Sequence, residues 1–153
     1  EVPCTTIDDE LDRLQATCAV PRFMKLDLEG GELHALMGAR RMLAHEQTFV
    51  VFENGRQESA DVYGYNCRDW FDFMRSVKYD VYDLFARPFG PGEWTKHEIP
   101  WYFIAVPSSH VNWAHFMDRE YPSLLDATAA RCRSSRARAG RDLMKRLMAR
   151  LWS

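Results

Sequence analysis

The sequence predicts an α/β fold with a largely parallel sheet and an antiparallel final strand, and three observations point to it. Along residues 5–107, apolar segments of strand length alternate with segments of helical spacing. One strand segment, residues 48–52 (Thr-Phe-Val-Val-Phe), is continuously apolar, as in a strand covered on both faces. No helical segment separates the last two strands, so the last one is expected to run back antiparallel to its neighbours.

The elements follow in order. Residues 5–16 open with a threonine able to cap a helix and place Ile7, Leu11 and Leu14 on one side. After Pro21, residues 23–28 read as a strand, with Phe23, Lys25, Asp27 and Glu29 along one side and Met24, Leu26 and Leu28 along the other. The pair Gly30-Gly31 interrupts the pattern. Leu33, Leu36, Met37, Arg40 and Leu43 then recur at helical spacing, which predicts one helix over 32–44 lying back on the sheet. The apolar strand 48–52 ends in Glu53-Asn54-Gly55, a second acid at a strand terminus. Residues 55–65 read as a polar, tyrosine-containing loop. Asn66 can cap the next helix, whose face is Trp70, Phe71, Met74 and Val77, and Asp69 partly completes a capping box. Residues 79–85, with Asp80 and Asp83, read as an edge strand. A loop over 86–99 leads to the last strand, 101–106. Beyond it, residues 109–153 read as a helical extension: Trp113, Phe116 and Met117 mark a short helix, and Leu143, Leu147 and Leu151 form an apolar stripe in a basic tail.

A length of 153 residues suits one domain with a sizeable core, and the fractions of hydrophobic (46%) and charged (27%) residues are those of a globular protein. No apolar run approaches the roughly 18 residues of a membrane span. Cys4, Cys18, Cys67 and Cys132 include no Cys-x-x-Cys pair and read as reduced thiols, which sets a cytoplasmic expectation. The net charge of −2 conceals an asymmetry, because residues 127–153 carry +7 and the remainder −9. An acidic body is a poor partner for nucleic acid.

Carboxylates at the ends of parallel strands occupy the place where open sheets bind ligands. If the two strands are neighbours, Asp27, Glu29 and Glu53 converge there. Such acids can orient a hydroxyl, accept its proton, hold a divalent cation or stabilise a cationic cofactor. A purely structural account is also open, with Lys25 pairing Asp27 on an exposed face and Glu29 beginning a helix. Tyr63 and Tyr65 in the loop after Glu53, and His97 before the last strand, are candidates to line an acceptor pocket. No Cys/His cluster has metal-ligand spacing.

The run Lys25-Leu26-Asp27-Leu28-Glu29-Gly30-Gly31-Glu32-Leu33, with Leu36, Gly38 and Ala39 downstream, resembles the Lys-x-Asp-x-Glu-Gly-x-Glu-x-x-x-Leu-x-Gly-Ala signature of the FkbM-type methyltransferases. Thr5-Thr6-Ile7-Asp8 is similar to the Thr-Thr-Leu-Asp segment preceding that signature, and the likeness extends over roughly residues 2–107. The resemblance implies a class I, Rossmann-like fold that transfers methyl groups from S-adenosylmethionine to hydroxyls of sugars or other small molecules. It makes residues 23–28 the fourth strand of that sheet and gives the chain strands four to seven, over residues 1–108. Asp27 or Glu29 is then the expected base or substrate-orienting group, with Asp27 also beside the cofactor. Glu53 is a further candidate and Lys25 a partner of the acids. The family's glycine-rich cofactor loop has no counterpart among these residues, since no Gly-x-Gly-x-x-Gly occurs. The expectation is therefore the C-terminal half of such an enzyme, with strand 23–28 left as an edge open to self-association. Two other functions are compatible with the residues: a non-catalytic interaction module with a basic docking helix, and a carboxylate-dependent metal hydrolase.

Overall fold

The computed structural model describes residues 3–14, 20–54, 56–85, 87–96 and 99–110. Two compact units divide the chain, Glu1–Ser109 and His110–Ser153, and the architecture below is that of the first. His97, the helix expected around Trp113 and the basic tail lie outside the described residues.

Four strands, β1 (Phe23–Leu26), β2 (Phe49–Glu53), β3 (Tyr79–Asp83) and β4 (Tyr102–Pro107), form one sheet in the order β1-β2-β4-β3. β1 and β2 are parallel, and β4 runs antiparallel to both β2 and β3. Without a crossover helix before it, β4 fills the gap between β2 and β3 in the reverse direction, as expected. The register places Leu26, Phe52, Phe103 and Asp83 in one row across the sheet. The carboxyl ends of β1, β2 and β3 therefore lie along a single edge, with the start of β4 among them.

The helices are α1 (Ile7–Arg13), α2 (Glu32–Met37), α3 (Arg40–Leu43), α4 (Gln57–Tyr63) and α5 (Cys67–Ser76). The Thr6 hydroxyl caps α1 by accepting the Asp9 N–H at 3.0 Å. Asn66 caps α5 in a full capping box with Asp69. Trp70 of α5 is fully buried, with ring contacts to Phe52 and Trp94, while Phe71 packs on Phe89 and Phe89 on Phe103. This aromatic cluster and the leucines of α2 and α3 make the core on one face of the sheet. On the opposite face Phe49, Val51, Ile104 and Val106 are also buried, so β2 is covered on both sides.

Several boundaries differ from those the pattern predicts. The first strand stops at Leu26, so Asp27 and Glu29 lie beyond it, and Leu28 is exposed rather than buried. Glu32 is the cause, because its carboxylate reaches back to accept the Leu28 N–H at 2.7 Å, and Glu29 turns the chain at φ 53°. The single helix over 32–44 is two, broken at Gly38-Ala39. Asp8 makes the break: its two oxygens accept the N–H groups of Arg41 and Met42 at 2.8 and 3.0 Å, and its own N–H donates to the Gly38 carbonyl. Gly38 lies so close to α1 that a Cβ would stand 3.2 Å from that of Thr6. The Thr-Thr-Ile-Asp segment thus supplies both the cap of α1 and the cap of α3. Residues 57–63 form α4 instead of a loop. The strands read as 48–52, 79–85 and 101–106 are Phe49–Glu53, Tyr79–Asp83 and Tyr102–Pro107.

Candidate functional site at the carboxyl edge

Side chains alternate along a strand, so the register assigns faces. Leu26, Phe52 and Phe103 point to the helix-covered core, whereas Lys25, Val51, Glu53 and Tyr102 share the other face. Lys25 and Asp27 form an ion pair with both side chains about half exposed. Glu53, half-buried, stands directly across from Tyr102. Electrostatics tie the four together. The bond to Asp27 is the main reason the Lys25 ammonium sits above its ordinary pKa, and the charges of Tyr102 and Glu53 act in the same direction. Tyr102 is likewise raised, first by the charge of Glu53, then by burial and by Asp27. A compact group of two carboxylates, an ammonium and a phenol therefore occupies the ends of two adjacent parallel strands.

The structure brings together three of the sequence-derived candidates, Lys25, Asp27 and Glu53, and adds Tyr102. Glu29 is exposed on the left-handed turn and makes no ion pair among the described residues. Tyr63 is partly exposed and its hydroxyl donates to the Leu28 carbonyl at 3.4 Å. Tyr65 is buried and donates to the Gly30 carbonyl at 3.3 Å. Burial pushes the Tyr65 phenol up to about 12, with the Glu32 charge adding to it. Tyr63 ends α4 and Tyr65 follows it; both bond to the turn 27–31, and His34 meets each ring edge-on. Gly30 is required there: at φ 112° a Cβ would come 2.9 Å from Ser59 and Tyr63 side-chain atoms. Among the described residues, no His, Cys, Asp or Glu side chains gather in a group able to hold a metal ion.

Sequence reasoning missed three polar residues. Glu32 is 1% exposed, and its second oxygen, Oε2, has no partner among the described residues; its signals were its place in the signature and an acid in the first turn after a glycine pair. Asn54 and Arg56 follow β2, and each leaves one buried nitrogen without an acceptor among the described residues. Farther along the same edge, at the end of β3, a cavity of about 570 Å³ is lined by Asp83, Arg87, Phe89, Glu93, Lys96 and Ile99. Its charges are already matched, Asp83 with Arg87 at 2.6 Å and Glu93 with Lys96 at 3.1 Å. None of the four clustered groups lines it, so it is a separate feature.

Compared with protein families, the sequence matches the methyltransferase FkbM domain over residues 1–81, just over half of the chain. No curated protein and no solved structure matches it.

Proposed function

The chain belongs to the FkbM methyltransferase family, and from that premise we propose that it serves S-adenosylmethionine-dependent O-methyl transfer to a hydroxyl of a small molecule or sugar. The observation that carries this reading is the gathering of Lys25, Asp27, Glu53 and Tyr102 at the ends of two adjacent parallel strands. The strand order supports it. β1-β2-β4-β3, with β4 alone reversed, fits strands four, five, seven and six of a class I methyltransferase sheet. The outer edge of β1 has no strand partner among the described residues, which suits a further strand or a second copy adding there.

When bound, S-adenosylmethionine supplies a methyl group on a positively charged sulfur. Asp27 and Glu53 fit that charge, as solvent-reachable carboxylates on one face. Asp27, just past the end of β1, is the residue to stand beside it. The sequence contains no Gly-x-Gly-x-x-Gly to cradle the rest of the cofactor, so the residues here serve the sulfonium and the acceptor. Aligning the hydroxyl is the larger task, since in-line displacement depends on near-attack geometry. A carboxylate is a weak base for an alcohol, so Asp27 acts mainly by accepting a hydrogen bond from the hydroxyl. Its oxygen takes the proton as the new carbon–oxygen bond forms. Lys25 fixes the Asp27 carboxylate through their ion pair, and Glu53 with Tyr102 bounds the acceptor on the neighbouring strands.

Asp27→Asn tests the assignment. Methyl transfer to a panel of hydroxyl acceptors should fall by about 10²-fold or more, while the circular dichroism and urea midpoint stay those of the unsubstituted protein. Unchanged turnover removes Asp27 from the mechanism.

A further inference from the structure

Arg56 is 7% exposed, yet among the described residues no carboxylate lies within ion-pair distance of it. Its Nη1 is sealed from solvent without an acceptor, and the nearby Asn54 amide has a buried Nδ2 in the same condition. The rest of the local structure is well determined by hydrogen bonds. Asn54 Oδ1 accepts the Arg56 N–H at 2.7 Å, and the Asn54 N–H donates to the Trp101 carbonyl at 2.9 Å. The guanidinium lies over the Trp101 ring, 5.6 Å from its centroid. Burial lowers the Arg56 pKa, and the Glu58 charge opposes that shift only from beyond ion-pair distance; a buried cation with no contact ion pair costs more than a single cation–π contact returns, so packing alone does not account for its placement. The five arginines Arg13, Arg41, Arg68, Arg75 and Arg87, all more exposed, each have a carboxylate partner. Trp101, by contrast, presents an indole that is 48% exposed at the sheet edge, next in sequence to Tyr102 of the acid cluster.

We propose that Arg56, Asn54 and Trp101 form an anion subsite of the acceptor site, so that the methylated hydroxyl belongs to a sugar bearing a carboxylate or phosphate. The planar guanidinium offers its remaining N–H donors to the oxygens of one anionic group, Asn54 fixes the Arg56 backbone behind it, and the exposed indole offers an apolar surface to the sugar ring. This rests on the methyl-transfer reading for the identity of the ligand, but its test needs no methyl donor and no turnover.

Titrations of the chain with glucuronate, a phosphorylated glucose and neutral glucose, followed by heteronuclear NMR at the Arg56 Nε–H and the Trp101 indole N–H, separate the possibilities. One or both charged sugars should bind and neutral glucose should not, and which of the two binds more tightly names the anion. Arg56→Gln should weaken that binding at least tenfold without lowering the thermal midpoint of the free protein, because it removes a buried charge that has no contact ion pair. Trp101→Ala, at an exposed position, should weaken the charged sugars severalfold and leave inorganic phosphate unaffected. Equal binding by the Arg56→Gln protein, no binding of either charged sugar, or an Arg56→Gln protein that fails to fold would each overturn the proposal. Any of these leaves the Asp27→Asn result, and with it the methyl-transfer reading, standing on its own.

Discussion

At the edge where β2 and β3 begin, Glu46 and Lys78 hold left-handed backbone, with φ 52° and 60°. Their side chains meet at 3.0 Å, and the Ser109 hydroxyl donates to the other Glu46 oxygen at 2.6 Å. Those two bonds, Ser109 first and Lys78 second, hold the Glu46 carboxyl below its ordinary range. At the opposite edge, where the parallel strands end, Glu29 and Arg56 have the same backbone sign, φ 53° and 56°, but no ion pair among the described residues. Three buried polar atoms there, Glu32 Oε2, Asn54 Nδ2 and Arg56 Nη1, lack partners among the described residues. A non-glycine residue in left-handed backbone costs roughly 1–2 kcal/mol. One edge offsets that cost with its own contacts, and the other leaves its polar groups unmatched. Groups left unmatched in a folded chain are the ones a ligand could satisfy, so the contrast sets an edge matched by its own contacts against one whose polar groups are not.

Alkaline unfolding probes both edges at once and has the largest expected effect. Burial pushes Tyr65, near the carboxyl edge, and Tyr79, at the amino edge, up to about 12 from 10.0. A folded-state pKa raised above the unfolded one gives stability that is complete below about pH 10 and is lost as pH rises towards 12. At 1.36 kcal/mol per unit, each tyrosine accounts for about 2–3 kcal/mol. Urea midpoints followed from about pH 9 to about pH 12 should therefore fall by the equivalent of about 5 kcal/mol, and by half as much in either Tyr→Phe protein. Loss carried by one tyrosine alone would show that the two edges are not equally closed to water.

Thr48→Val tests the satisfied edge by itself. The Thr48 side chain is fully buried and its hydroxyl donates to the Pro21 carbonyl at 2.5 Å. Valine keeps the shape and removes the donor, so unfolding free energy in urea should fall by about 1–3 kcal/mol. A change below about 0.5 kcal/mol would mean that the bonds at this edge are replaceable by water, and the contrast would lose its energetic half.

How much of this was legible in the sequence depended on whether the cause was local. The Asn66 capping box, the Thr6 cap and the run ending at Phe52 are read within a few residues, and each produced its element. The reversal of β4 followed from chain connectivity. By contrast α4 has only Ala60 buried and lacks an apolar stripe; it is held by Ser59 and Tyr63 closing on Gly30, about thirty positions away. The break between α2 and α3 is imposed by Asp8 from another helix. At the site, alternation paired Lys25 with Asp27, which meet in an ion pair although Asp27 lies just past β1, and the acid ending the second strand is Glu53. Alternation said nothing of Arg56, since a surface arginine and a buried one look alike until the sheet is assembled.

The smallest effect falls on the pair of hydroxyls that run against the contrast, and for that reason tests it most finely. Tyr65, on the side rich in unmatched groups, donates to the Gly30 carbonyl, whereas the Tyr79 hydroxyl is buried without an acceptor on the otherwise satisfied edge. The Thr48 backbone N–H acts on it and favours the ionised phenol. If hydrogen bonding decides these positions, Tyr65→Phe should cost about 0.5–1.5 kcal/mol at neutral pH and Tyr79→Phe should be neutral or slightly stabilising. The bond to Gly30 also fixes the turn that presents Asp27. Tyr65→Phe should therefore raise amide exchange across residues 27–31, and Tyr79→Phe should leave it unchanged. Equal exchange in the two variants would mean that Glu32 and Gly30 hold the turn without help from α4, and that the unmatched edge is more rigid than its hydrogen bonds account for.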